Sequence, residues 1–149
     1  PNQPNNNRSN MSSIIFTAVF LDLTAEEKDG LLGHFEWAMP DRFLDHMTIE
    51  FRPAPGAADT VLANEGHEVN LKVIGKLETE DIQVFVVEPD ARLSEAGIEV
   101  ANAVPHITVA TSGPEVRPFH SNAALREHGF VALDEPFTLK GRLGAFHSG

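Results

Sequence analysis

Ser13 to Leu23 (SIIFTAVFLDL) is almost continuously apolar and rich in β-branched and aromatic residues, the pattern of a central strand covered on both faces. The periodicity then changes. Thr24, with Glu27 three positions on, fits a capping box, and Leu31, Leu32, Phe35, Ala38 and Met39 recur at helical spacing, which predicts a helix ending before Pro40. Gly30 and Gly33 each weaken such a helix by about 1 kcal/mol, and Trp37 is assigned to the core or to the helix edge. From His46 to Phe51 (HMTIEF) polar and apolar residues alternate as on a half-buried strand, until Pro53-Ala54-Pro55-Gly56 ends the run. Residues 53–66 read as a small-residue loop, and the alanines equally allow a helical turn over 57–63.

Val69–Leu77 and Ile82–Glu88 predict a hairpin across the acidic turn Glu78–Asp81, closed by Pro89-Asp90. Residues 91–103 suit a short helix. Val104 to Thr111 (VPHITVAT) is a second alternating strand, broken by Ser112-Gly113-Pro114. Ser121 can cap a helix over Asn122–His128 with Gly129 as its stop, and Phe137–Phe146 (FTLKGRLGAF) forms a final strand. The expected fold is α+β and duplicated: two antiparallel β-sheets with flanking helices, in two lobes around a central cleft where a ligand would sit.

The two alternating strands carry the same order of side chains. His46, Met47, Thr48 in one matches His106, Ile107, Thr108 in the other. Residues i and i+2 of a strand share a face, so each unit offers an imidazole beside a hydroxyl. Two such units facing each other would hold a phosphate and move protons on either side of it.

Length and charge narrow the partners. The 149 residues make one domain. PNQPNNNRSN, residues 1–10, has no apolar residue and reads as a vector-derived tail ahead of a single domain over 11–149. Setting aside Arg8 with that tail moves the formal charge from −11 to −12. So acidic a domain repels a polyanion, which argues against long duplex or single-stranded nucleic acid and leaves a small nucleotide or one RNA terminus. Without cysteine there are no disulfides or thiolate metal sites. No apolar run approaches the roughly 20 residues that span a bilayer. A cytoplasmic monomer without membrane contact is expected.

The paired His-x-Thr strands resemble the 2H phosphoesterase superfamily, which includes RNA cyclic phosphodiesterases, the phosphodiesterase domain of tRNA ligases and phage enzymes that degrade cyclic-nucleotide signals. Val116, Pro118, Ser121-Asn122 and Leu125 add a similarity to the tRNA-ligase type. The resemblance implies that His46 and His106 are the catalytic imidazoles and that Thr48 and Thr108 bind the phosphate. It implies a metal-independent hydrolysis of a 2′,3′-cyclic phosphate on a nucleotide or RNA end.

The chemistry suits these residue types. One imidazole can take a proton from the attacking water while the other gives one to the leaving ribose oxygen, since both titrate near neutrality. The threonine hydroxyls donate to the phosphate as its charge develops. No cofactor is called for, and the histidines lack the i, i+4 spacing of a helical metal site; Asp45 is expected on the opposite strand face from His46. His120, Arg52 and Arg117 are further candidates for substrate binding, and Phe119 is assigned to core packing, with stacking of a base as its alternative. His34, His67, His128 and His147 read as surface residues. A phage-type nuclease acting on cyclic oligonucleotides and a module that only binds a nucleotide are the alternative readings.

Overall fold

In the computed structural model, residues 14–147 are described, so the 1–10 tail expected from the sequence lies outside them. Strand β1 (Ile14–Leu21) leads into helix α1 (Ala25–Leu31), where Thr24 and Glu27 form the expected capping box. The helix is shorter than its apolar stripe predicts. It tightens into a single 3₁₀ turn at Leu32–His34, and beyond it the chain runs irregularly. Glycines at 30 and 33 lower the helical preference at that point, and long-range bonds take over: the Glu36 N–H donates to the Glu78 carboxylate at 3.0 Å, and the Gln83 amide donates to the Trp37 carbonyl at 2.7 Å. Trp37 itself is 47% exposed rather than in the core.

The remaining elements are β2 (Asp41–Arg42), β3 (His46–Phe51), α2 (Pro55–Ala63), β4 (Glu68–Glu78), β5 (Ile82–Pro89), α3 (Ala91–Glu95), β6 (His106–Thr111), α4 (His120–His128) and β7 (Val131–His147). Helix α2 settles the 57–63 alternative in favour of a helix, with Pro55 in its first turn. Strand β7 begins six residues earlier than the alternating run suggests, because Phe130 and Val131 pack over the bare Cα of Gly75 and prolong the pairing with β4.

The class is α+β, but the strands do not divide into two separate sheets. They form one antiparallel sheet, β6-β3-β1-β7-β4-β5, and β5 pairs back onto β6, closing a six-stranded barrel with β2 on the rim of β6. Closure leaves no open edge among the six. Val19, Met47, Ile49, Leu71, Val73, Phe85, Val87, Ile107, Val109, Leu139 and Leu143 come from all six strands into one buried cluster, which is the barrel interior. Leu93 and Ile98 join that cluster, as do Leu32, Phe35 and Met39. His34, expected at the surface, is half-buried against this cluster: it stacks on Phe137 with ring centres 4.9 Å apart and sits edge-on to Phe85.

Outside the wall, Val84 and Val86 of β5 are covered by Leu125 and Ala124 of α4. Strand β5 is therefore buried on both faces, the role that the unbroken apolar run of β1 had suggested for β1. The other outer positions of the wall, on β6, β3 and β1, are the ones that face the site described next.

Gly141 of β7 lies so close to β1 that a Cβ there would come within 2.5 Å of Val19 Cγ1 and 2.8 Å of the Phe20 carbonyl oxygen. A backbone oxygen cannot turn aside as a side chain can. Gly141→Ala is expected to cost about 1–3 kcal/mol, the usual range for overpacking; a urea-denaturation midpoint equal to that of the parent protein would show that β1 and β7 can part there freely.

Candidate functional site

Alternation along β3 sends Met47 and Ile49 into the barrel and leaves His46, Thr48 and Glu50 on its outer face; on β6, Ile107 and Val109 point in and His106 and Thr108 out. The strands are antiparallel neighbours with Met47 paired to Ile107. Carried one step on, that register sets Thr48 across from His106. Upstream the pairing is irregular. The Leu44 N–H donates to the Thr108 carbonyl at 3.0 Å, so three residues of advance on one strand meet one on the other, and Asp45 and His46 bulge outward. Leu44, buried at the root of the bulge, has φ of 57°, a conformation that costs a non-glycine residue roughly 1–2 kcal/mol and persists only where its surroundings enforce it.

A cavity of about 690 Å³ opens over this face. His46, Thr48, His106 and Thr108 all line it, with Phe16 and Phe43 on one part of its wall and Ala101, Asn102, Pro118, Phe119 and Asn122 on others. Asp45 lines it as well, contrary to the expectation that it would face away from His46. Strand alternation does not reach across the bulge, and Asp45 stands in it, 3.2 Å from Lys28 Nζ.

The two imidazoles are held differently. His106 is 8% exposed, and its Nδ1 lies 2.8 Å from the Val104 carbonyl oxygen. A carbonyl only accepts, so Nδ1 carries a proton and Nε2 is the atom left to exchange one. His46 is held by rings: it stacks on Phe16 at 4.7 Å and tilts against Phe20 at 5.7 Å. Burial pushes both imidazoles below their ordinary value of 6.5. For His46 the Asp45 carboxylate opposes that shift and His106 reinforces it; for His106 the bond to Val104 opposes it.

The two threonines differ as well. The Thr48 hydroxyl makes no hydrogen bond among the described residues. Thr108 Oγ1 is 2.8 Å from the Ser121 hydroxyl and 3.2 Å from the Pro118 carbonyl. Ser121 therefore does not cap α4. The helix begins two residues earlier than expected, at His120, after a turn in which the Arg117 N–H donates to His120 Nδ1, and the Ser121 side chain turns inward.

Of the remaining candidates, Arg117 lines the cavity, whereas His120 is taken up by that turn and packs against Phe119. Arg52 lies outside the lining, with its guanidinium 5.2 Å above the Phe51 ring. Phe51 and Phe119 line the cavity and are 61% and 68% exposed, so the role of Phe119 is at the rim and not in the core. Sequence reasoning missed Phe16 and Glu50, and it read Ser121 as a helix cap. Glu50 could have been found, since period-two spacing from His46 through Thr48 leads directly to it.

Residues 64–134 match the family described as the fungal tRNA ligase phosphodiesterase domain. The match agrees with the resemblance carried by the two motifs, and it spans hairpin β4–β5, the second motif at His106 and Thr108, and helix α4. The first motif, at His46 and Thr48, lies outside the matched residues. None of the curated proteins compared matches the chain. Among the described residues no helix is long and apolar enough to cross a membrane.

Because burial lowers both imidazoles, the unfolded chain takes up their protons more readily than the folded one. Stability is therefore fully present above the ordinary imidazole value of 6.5 and falls as pH drops below it. NMR titration of the ring protons of His46 and His106 is expected to give midpoints under 6.5. Midpoints at the ordinary value would mean that the two rings are solvated, and midpoints above it that Asp45 or the Val104 carbonyl outweighs burial.

Proposed function

We propose that this chain is a cyclic phosphodiesterase that opens a 2′,3′-cyclic phosphate on a nucleoside or RNA end, with His46 and His106 as general acid and base and Thr48 and Thr108 as phosphate donors. The observation that carries the reading is the meeting of both His-x-Thr units on one outer face, through the Met47–Ile107 pairing, beneath a single cavity. The family match over 64–134 supports phosphodiester chemistry at the second unit.

In the reaction, water attacks phosphorus and loses its proton to one neutral imidazole, while the bond to one ribose oxygen breaks and that oxygen receives a proton from the other, charged imidazole. The Nε2 of His106 is available for either task, because its Nδ1 is committed to Val104. Which ring serves as acid follows from which ribose oxygen leaves. Hydroxyl donors from the two threonines meet the non-bridging oxygens as their charge grows. These steps use only side chains of this protein.

The surroundings favour a small substrate. A cavity of about 690 Å³ falls in the range of small-molecule sites. Asp45 and Glu50 line it against the one cation Arg117 among the lining residues, and the whole chain carries a formal charge of −11. One phosphate can be held there; a run of phosphates is repelled. The exposed rings of Phe51 and Phe119 offer a face to a nucleobase beside the phosphate site. A protein of the cytoplasm acting as a monomer fits this reading.

His46→Ala and His106→Ala are each expected to lower kcat by about 10²–10⁴-fold on a nucleoside 2′,3′-cyclic phosphate, the usual contribution of a positioned acid or base. Thr48→Val should cost about ten- to a hundredfold, as expected for a hydrogen bond to a charged group. The pH–rate profile should be bell-shaped with its optimum on the acid side of neutrality, since both imidazoles are lowered. Turnover of either histidine variant at the parent rate would refute the mechanism. Rapid cleavage of cyclic di- and trinucleotides with no ring opening of the mononucleotide would transfer the activity to the signal-degrading class, and return of every ligand unchanged would leave a binding module.

A further inference from the structure

Ser121 has no exposed surface, yet it is a polar residue on the inward side of a helix that otherwise packs Leu125 and Ala124 against β5. Among the described residues its hydroxyl meets only the hydroxyl of Thr108, at 2.8 Å. A hydroxyl has one proton to donate and two lone pairs to accept with. Thr108 donates to the Pro118 carbonyl, which can only accept, so in the pair of hydroxyls Ser121 is the donor and Thr108 the acceptor.

From this proton order we propose that Ser121 is a positioning residue for the phosphate donor Thr108, an inference that rests on the role given to Thr108 above. With a lone pair of Thr108 held by Ser121, the single Thr108 proton has two destinations, the Pro118 carbonyl when the cavity is empty and a phosphate oxygen when it is filled. The exchange leaves nothing buried without a partner, because the Pro118 carbonyl also accepts the Ser121 backbone N–H at 3.0 Å. A hydroxyl that is accepting a hydrogen bond is polarised and donates more strongly. Thr48 makes no such bond, so the two phosphate donors are unequal, and the stronger one is set by helix α4.

The test is a double-mutant cycle on Ser121→Ala and Thr108→Val, reading kcat and KM for opening a nucleoside 2′,3′-cyclic phosphate and the Kd of the nucleoside 2′-monophosphate by calorimetry. S121A alone is expected to lower kcat about 3- to 10-fold, the range of one neutral hydrogen bond, with KM little changed. In the T108V background the same substitution should change kcat by less than about twofold, because the group through which it acts is gone. An equal loss in both backgrounds would overturn the proposal and reduce Ser121 to packing; so would an S121A variant as active as the parent. If S121A fails to fold, S121C, similar in volume and only a weak donor, takes its place in the same cycle. Should the protein open no cyclic phosphate at all, the phosphodiesterase reading fails on its own, and the Kd cycle then decides: coupling between the two substitutions supports Ser121 as the positioner of Thr108, and additive or absent effects refute it.

Discussion

Antiparallel pairing of β3 with β6 is the contact on which the site depends. Strands nearly sixty residues apart in sequence become neighbours within the sheet, and their register is fixed by what each strand buries. Met47 and Ile49 on one, and Ile107 and Val109 on the other, must all reach the interior. A slip of either strand by one residue would turn its own two apolar side chains to water and its own histidine into the core. The hydrophobic register and the chemical register are thus a single constraint, enforced by burial of a kind worth about 1.5–3 kcal/mol per large side chain.

Electrostatics follows from the same placement. An outer wall is normally wet, but here the segment carrying Ala101 and Asn102, the turn at Pro118 and the ring of Phe16 cover it enough to desolvate both imidazoles. His46 depends on ring stacking and His106 on a backbone carbonyl, so the two are held by unrelated means. The bulge at Leu44–Asp45 supplies the asymmetry, since it brings a carboxylate to one imidazole and not to the other.

Much of this was legible in the chain. Strict alternation identified HMTIEF and VPHITVAT as half-buried strands, and the pairs His46/Thr48 and His106/Thr108 stood out because strand geometry makes i and i+2 neighbours. Barrel closure was not legible: a strand buried on both faces has the same apolar run whether it lies in a sandwich or in a wall covered by a helix, and nothing in IQVFVV says that β5 returns to β6. The first helix was overextended because its apolar stripe continues past Leu31, whereas Phe35 and Met39 enter the core from irregular chain fixed by Glu78 and Gln83. Ser121 was read as a cap, because serine before a helical run is a local signal, and its bond to Thr108 arises only when α4 folds across β5.

Placing the cavity on the outside of the barrel has a consequence for how such a protein can change. Its stability resides in a closed apolar interior, while the paired histidines and threonines and the rim formed by Phe51, Phe119 and Asn102 stand on the opposite side of the same wall. The two jobs share a backbone but hardly any side chains. Selection for a new ligand can therefore exchange rim residues without loosening the interior, and drift within the interior can proceed as long as alternation is kept. A fold arranged this way separates robustness from novelty by the thickness of one β-sheet.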